Sequence, residues 1–374
     1  MNFPRFALER WQSVNENSVE YNLSESGVHP LTLSDLGITP EDLSKCRLGY
    51  GVSNGTERFR SLVASLYIGA TERNVLATIG GAEANLISIL RLLQPGDDAV
   101  VVLPNYMQTY GLIQGLGGAV VPVWLRPENQ WLPDPNDIAG KITSKTKFIT
   151  LCNPNNPTGA AFGLDTIKAI ASIADRHGCW ILADEVYQGA ERVGNQTPSF
   201  WGIYPRTIVT NSLSKAYGTP GLRLGWVLAS EETIQEVWAY ADYTKIAPAV
   251  LSDFAGCRVL EQRDKILGRT RRLLEQNWPN LKNWLDGRPG MFEYVPPKAA
   301  AICMTRYKAA INSSELDERL RMEKSTLIVP GDQFMLDGYI RFGFGNEAPY
   351  LLAGLERVGE MLDSASATME RTRP

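Results

Sequence analysis

Between Asp97 and Trp226, short apolar runs alternate with stretches of helical periodicity, and few folds are open to a chain that does this. Residues 99–103, 148–152, 180–183, 207–210 and 224–229 are predominantly apolar without regular alternation, which predicts strands covered on both faces. Strands of that kind lie parallel and need crossover helices between them. Asp165 to His177 supplies one, with Ile167, Ile170, Ala171 and Ala174 on a single face, Asp165 as the expected N-cap and Gly178 as the stop after His177. Two earlier helices are predicted from Phe59, Leu62, Val63 and Leu66, and from Leu86, Ile89, Leu90 and Leu93, both packing on the same sheet.

Beyond about residue 245 the pattern changes. A long charged amphipathic segment, residues 263–285, precedes strand-like pieces at 299–304, 326–329 and 339–344, which predicts a second unit of α+β type. Leu281 to Leu285, after Pro279, reads equally as the end of that helix or as a separate short one. Residues 1–45 lack a core of their own, so the expected division is a large domain over 46–245 and a small one built from 1–45 and 246–374. A chain of 374 residues has room for both.

With 44% apolar and 21% charged residues the chain is globular rather than disordered. Its 37 basic and 41 acidic residues leave a formal charge of −4, a poor field for phosphate backbones or anionic lipid, so no nucleic-acid or membrane partner is expected. No apolar run approaches the roughly 18 residues of a membrane span, and Arg5, Glu9 and Arg10 stand where a secretory apolar region would lie. A soluble, cytoplasmic protein is the expectation. The 5 cysteines form no closely spaced pair, which suggests neither a disulfide framework nor a zinc ribbon. Only His29 and His177 are available to a His-based mechanism, and no metal is expected.

In open parallel sheets, ligands sit beyond the carboxyl ends of the strands. Three polar segments emerge there: Asn153 to Gly159, Asp184-Glu185-Val186-Tyr187, and Ser212-Leu213-Ser214-Lys215 with Gly221 to Gly225 following. Lys215, flanked by small hydroxyl residues at a strand end, has an amine placed to form a Schiff base. Asp184, at the end of a buried strand, needs a cation partner, which a protonated pyridine nitrogen would supply. Ser212, Ser214 and Arg223 are donors of the kind that hold a phosphate dianion, and Gly80-Gly81-Ala82-Glu83 opens a helix whose free N–H groups could complete that site. Aldehyde, pyridine and phosphate together describe pyridoxal 5′-phosphate (PLP).

In this order the motifs resemble fold-type I PLP enzymes of the class I/II aminotransferase family, over nearly the whole chain. They are Tyr50 within Gly49-Tyr50-Gly51, Gly80 to Glu83, Pro104-Asn105-Tyr106, Asn156-Pro157-Thr158-Gly159, Asp184 with Tyr187, Ser212 to Gly225, and Arg341. The resemblance implies an α/β PLP-dependent transferase fold: a large domain with a mostly parallel seven-stranded sheet, plus a smaller α+β domain. It implies that Lys215 is the internal aldimine lysine, that Asp184 pairs with the pyridine nitrogen, and that Tyr187 and Asn156 hydrogen-bond the ring hydroxyl oxygen. Tyr106 would stack on the ring. Ser212, Ser214, Arg223 and the backbone at Gly81, Ala82 and Glu83 would hold the phosphate, with Tyr50 reaching it from the other subunit of a homodimer. Arg341 matches the arginine that grips the substrate α-carboxylate, and the implied reaction moves the α-amino group of an L-amino acid to a 2-oxo acid.

On residue grounds alone plainer readings stay open: loop ion pairs for Asp184 and Arg223, turn roles for Ser212, Ser214 and Asn156, packing for Tyr50, Tyr106 and Tyr187, and surface charge for Arg341. One segment departs from the general aminotransferase pattern. Leu23-Ser24-Glu25-Ser26-Gly27-Val28 resembles the Ser-Gly-Val segment of capreomycidine-synthase-like enzymes, which act on an arginine-derived substrate by elimination and ring closure. That likeness implies substrate contacts at Ser26 and Gly27, and leaves Glu25 either facing solvent or meeting a cationic side chain.

Overall fold

The computed structural model describes residues 3–372. Its strands in chain order are β1 (Tyr21–Asn22), β2 (Val75–Thr78), β3 (Asp98–Leu103), β4 (Ala119–Trp124), β5 (Thr146–Cys152), β6 (Trp180–Asp184), β7 (Thr207–Ser212), β8 (Gly225–Leu228), β9 (Phe292–Tyr294), β10 (Ile302–Tyr307), β11 (Thr326–Leu327), β12 (Val329–Pro330) and β13 (Tyr339–Gly343). Seven of them form one sheet in the order β2-β8-β7-β6-β5-β3-β4. β8 runs antiparallel to both neighbours, and the other pairings are parallel. The expected mostly parallel sheet is present.

The inner strands match the predicted runs because they are buried on both faces, as Val100 to Leu103 and Ile181 to Ala183 show. The outer ones, β2 and β4, were not among those runs. β4 carries Pro122, which an edge strand tolerates because one side of its ladder goes unpaired. β2 is only four residues long, yet wholly buried, with the helix Glu57–Ala64 packed against it.

Two boundaries differ from expectation, and the alternative left open at Pro279 is decided. The crossover helix runs Leu164–His177, and its N-cap is Gly163 rather than Asp165. Asp165 lies in the first turn instead, where a carboxylate meets the positive end of the helix dipole. Gly178 ends the helix as predicted, at φ 66°. Pro279 does not divide the long helix, which continues from Arg263 to Asp286. Leu274, Trp278, Leu281 and Leu285 bury one face on both sides of the proline, and that burial outweighs the roughly 3 kcal/mol cost of proline inside a helix. The strand expected at 299–304 begins at Ile302, because Ala300 adopts φ 63° and takes the segment out of extended geometry.

A second sheet, β12-β13-β10-β9, is antiparallel, and β1 pairs with β11 in parallel register, Tyr21 opposite Thr326. The predicted piece at 326–329 is therefore two short strands serving two different sheets. No helix among the described residues is long and apolar enough to cross a membrane.

Candidate active site

A cavity of ≈ 370 Å³ opens at the carboxyl ends of β5, β6 and β7. Its lining includes Ser26, Gly81, Ala82, Tyr106, Asn156, Asp184, Tyr187, Ser212, Ser214, Lys215, Arg223 and Arg341. Residues separated by up to three hundred positions in sequence are brought together. The lining omits three expected site residues: Gly27, Glu83 and Tyr50. A Cβ on Gly27 would stand 3.6 Å from Lys215 Cδ, so that glycine lies just behind the wall. Tyr50 is 86% exposed, away from the cavity of its own chain. Glu83 turns its carboxylate back to accept from the Ile79 N–H and to pair with the buried Lys245 at 3.2 Å.

The helix Gly80–Leu92 starts at the cavity, and Gly80 sits at φ 73° with no room for a side chain. A Cβ there would lie 2.7 Å from Arg223 Nη2, so glycine is what lets the guanidinium approach the helix N-terminus. Ser212 Oγ accepts from the Ser214 N–H at 3.3 Å. Hydroxyls, a guanidinium and helix N–H groups therefore share one end of the cavity, a donor set suited to a phosphate dianion.

Asp184 sits farther in. Its Oδ2 accepts from Asn85 Nδ2 and its Oδ1 from the Val186 N–H, each at 3.1 Å. Asn85 is held in turn by Thr210, whose hydroxyl donates to its Oδ1 at 2.7 Å. Among the described residues no cation pairs with Asp184, and these neutral donors are the partners it has. Burial pushes its carboxyl above the ordinary value, with the two hydrogen bonds opposing. A cationic ring nitrogen would reverse that penalty.

Lys215 Nζ donates to Glu25 Oε1 at 2.9 Å, and the same oxygen accepts from the Ser26 and Gly27 N–H groups. Glu25 is half exposed, as the solvent-facing reading has it, and the cation it meets is the protein's own Lys215. Burial works against charge on Lys215, but Glu25 and Tyr187 outweigh it and raise its pKa. Lys215 in turn is the main cause that lowers Glu25 to about 2. Tyr187 donates to Ser26 Oγ at 3.0 Å.

Arg341, on β13, is 2% exposed, so it is not a surface charge. Its Nη1 donates to Asn156 Oδ1 at 2.8 Å and its Nη2 to the Ser24 carbonyl, while Nε has no partner. No carboxylate lies within ion-pair distance of it among the described residues, so its charge is left for an anion entering the cavity.

The sequence reading missed one wall. Leu8, Glu9, Gln12 and Glu16, all on or next to the N-terminal helix Ala7–Asn15, line the cavity. Tyr106 donates to Glu9 and packs edge-on against Phe6 at 5.2 Å between centroids. Spacings of three and four between Glu9, Gln12 and Glu16 put them on one helical face, but nothing in the sequence shows that this face meets a site.

The donor set fits a phosphorylated pyridine aldehyde: phosphate donors, an acid without a cation partner among the described residues, and a lysine amine line one cavity. Comparison with known proteins agrees. The model of the family described as aminotransferase class I and II matches residues 38–357. Capreomycidine synthase of Streptomyces vinaceus is 28% identical over 96% of this chain and 94% of its own. An aspartate/prephenate aminotransferase of Thermus thermophilus is 24% identical over 86% of each chain. The solved structure of a PLP-dependent aminotransferase from Streptococcus suis superposes with a TM-score of 0.93 at 34% identity, covering 97% of this chain and 99% of that one.

Proposed function

The chain belongs to the class I and II aminotransferase family of fold-type I PLP-dependent enzymes, and within it we propose that it transfers the α-amino group of an L-amino acid to a 2-oxo acid, with Lys215 as the residue that carries the cofactor. The observation that bears most weight is the placement of the Lys215 amine in one cavity with Asp184, an acid that has no cation partner among the described residues.

PLP supplies an electron sink for the charge left when a bond to the substrate Cα breaks. In this reading Ser212, Ser214, Arg223 and the N–H groups at Gly81, Ala82 and Glu83 hold the phosphate, and Asp184 holds the proton on the ring nitrogen, its carboxyl fixed by Asn85. Tyr187 and Asn156 donate to the ring hydroxyl oxygen, and Tyr106 lies against the ring. Arg341 takes the substrate α-carboxylate, and Asn156 and the Ser24 carbonyl set the orientation of its fork. Ser26 and Gly27 border the substrate. Lys215 Nζ would be the base that removes the proton from the substrate Cα.

Two wider features belong to the same proposal. Residues 46–245 form the large domain, which contains the whole seven-stranded sheet, and 1–45 with 246–374 form the small one, of which residues 1, 2, 373 and 374 lie outside the described residues. The protein pairs as a homodimer across a face where Leu48, Tyr50, Val52, Tyr243 and Ile246 are at least half exposed, so that Tyr50 reaches the partner's phosphate. A second reaction, elimination with ring closure on an arginine-derived amino acid, is supported by the 28% identity to capreomycidine synthase.

The test is Lys215→Ala. The protein loses its visible cofactor absorbance, and turnover falls by about 10²–10⁴-fold, the contribution of one general acid–base group. Unchanged colour and turnover refute the assignment. Mass analysis of the wild-type product separates the two reactions, a 2-oxo acid for transamination and a ring compound for cyclisation.

A further inference from the structure

Lys245 turns inward, its side chain only 2% exposed, although Tyr243 and Ile246 flanking it are well over half exposed. Burying an ammonium is costly unless it meets a counter-charge. That counter-charge is Glu83, also buried, whose Oε2 stands 3.2 Å from Nζ. The approach is a contact of charges rather than an aligned hydrogen bond. Neutral donors already serve both carboxylate oxygens: the Ile79 N–H donates to Oε2 and the Thr244 hydroxyl to Oε1. What Lys245 adds is therefore its charge.

Glu83 lies in the first turn of the helix Gly80–Leu92, whose N–H groups hold the cofactor phosphate on the proposed reading, and the inference rests on that reading. A helix N-terminus draws anions with roughly half a unit of positive charge. A lone carboxylate there would use up that attraction and repel an incoming dianion. We infer that Lys245 is a positioning residue of the phosphate site: its ammonium neutralises Glu83, so that the helix start stays capped and still receives a phosphate dianion. Lys245 is not in the lining of the cavity, so it acts through Glu83 rather than by touching the cofactor. Its own place is fixed by the main chain, where its N–H donates to the Ala241 carbonyl at 2.9 Å, at the end of the helix Glu231–Ala241. The C-terminus of one helix, which favours a cation, thus brings the ammonium to the N-terminus of another.

The test compares PLP with pyridoxal, which lacks the phosphate. Each is titrated into the protein, visible absorbance gives its dissociation constant, and the ratio of the two isolates the phosphate. Lys245→Met leaves Glu83 charged and is expected to lower the advantage of PLP over pyridoxal by about tenfold or more. Glu83→Gln keeps an oxygen acceptor for the Ile79 N–H but leaves the ammonium unmatched, and is expected to raise that advantage. With both substitutions the charges go together, and the advantage returns close to that of the wild type. A merely structural pair would move PLP and pyridoxal alike, and in the same direction in both single variants. An advantage unchanged in Lys245→Met, or a double variant as impaired as Lys245→Met, overturns the inference. If Lys245→Met does not fold, Glu83→Gln decides: a raised advantage supports the inference, and an unchanged or lowered one overturns it. If the wild type takes up neither compound, the cofactor reading falls as well.

Discussion

In the cofactor-free protein the Lys215 amine is held as an ammonium by Glu25, and an ammonium cannot attack an aldehyde. Loading is therefore expected to quicken as pH rises towards the lysine's raised pKa, by up to about tenfold per unit. Glu25→Gln removes the chief cause of that raise, so the variant colours faster than wild type at the same neutral pH; stopped-flow absorbance checks it. The pair also sets an acid limit. Glu25 is lowered from 4.5 to about 2, so its contribution to stability is complete above about pH 4.5 and is lost as pH falls towards 2. At this scale the sequence was informative wherever a polar residue follows a buried strand, as Asp184, Ser212 and Lys215 do. Glu9 and Gln12 were not legible, because a short surface helix looks the same whether its polar face meets water or a cavity.

At the scale of elements, the start of the helix Gly80–Leu92 carries the phosphate end of the site, and its geometry depends on Gly80. Gly80→Ala must hold φ 73° with a Cβ and displace Arg223 Nη2 from 2.7 Å. The strain costs about 1–2 kcal/mol, and the displaced guanidinium should weaken PLP binding further than the fold. Chemical unfolding without cofactor measures the first effect and PLP titration the second; a variant that loses stability but keeps its affinity would separate Arg223 from the phosphate. The inner strands of the sheet could be read from their continuous apolarity. β2 and β4 could not: one has only four residues, and the other carries a proline. The capping error at Asp165 has a similar origin, since an acid in the first turn and an acid at the N-cap give the same local pattern.

At the scale of the molecule, the exposed face around Leu48, Tyr50 and Ile246 belongs to the proposed pairing of two copies. Ile246→Glu is expected to shift the protein to monomers in sedimentation and to lower PLP affinity, because Tyr50 no longer reaches a neighbour's phosphate. A monomer with unchanged affinity would remove Tyr50 from the site. The proposed bipartite layout rests on a change of pattern near residue 245. The way the first 45 residues are used was not visible, because pairing between β1 and β11 joins positions three hundred residues apart and leaves no local trace. That pairing has a consequence for the order of events in synthesis. The walls bearing Glu9 and Glu25 are translated before Thr326 and Arg341, by some three hundred residues. A ribosome-bound chain thus has no finished pocket to offer vitamin B6 until Arg341 has emerged.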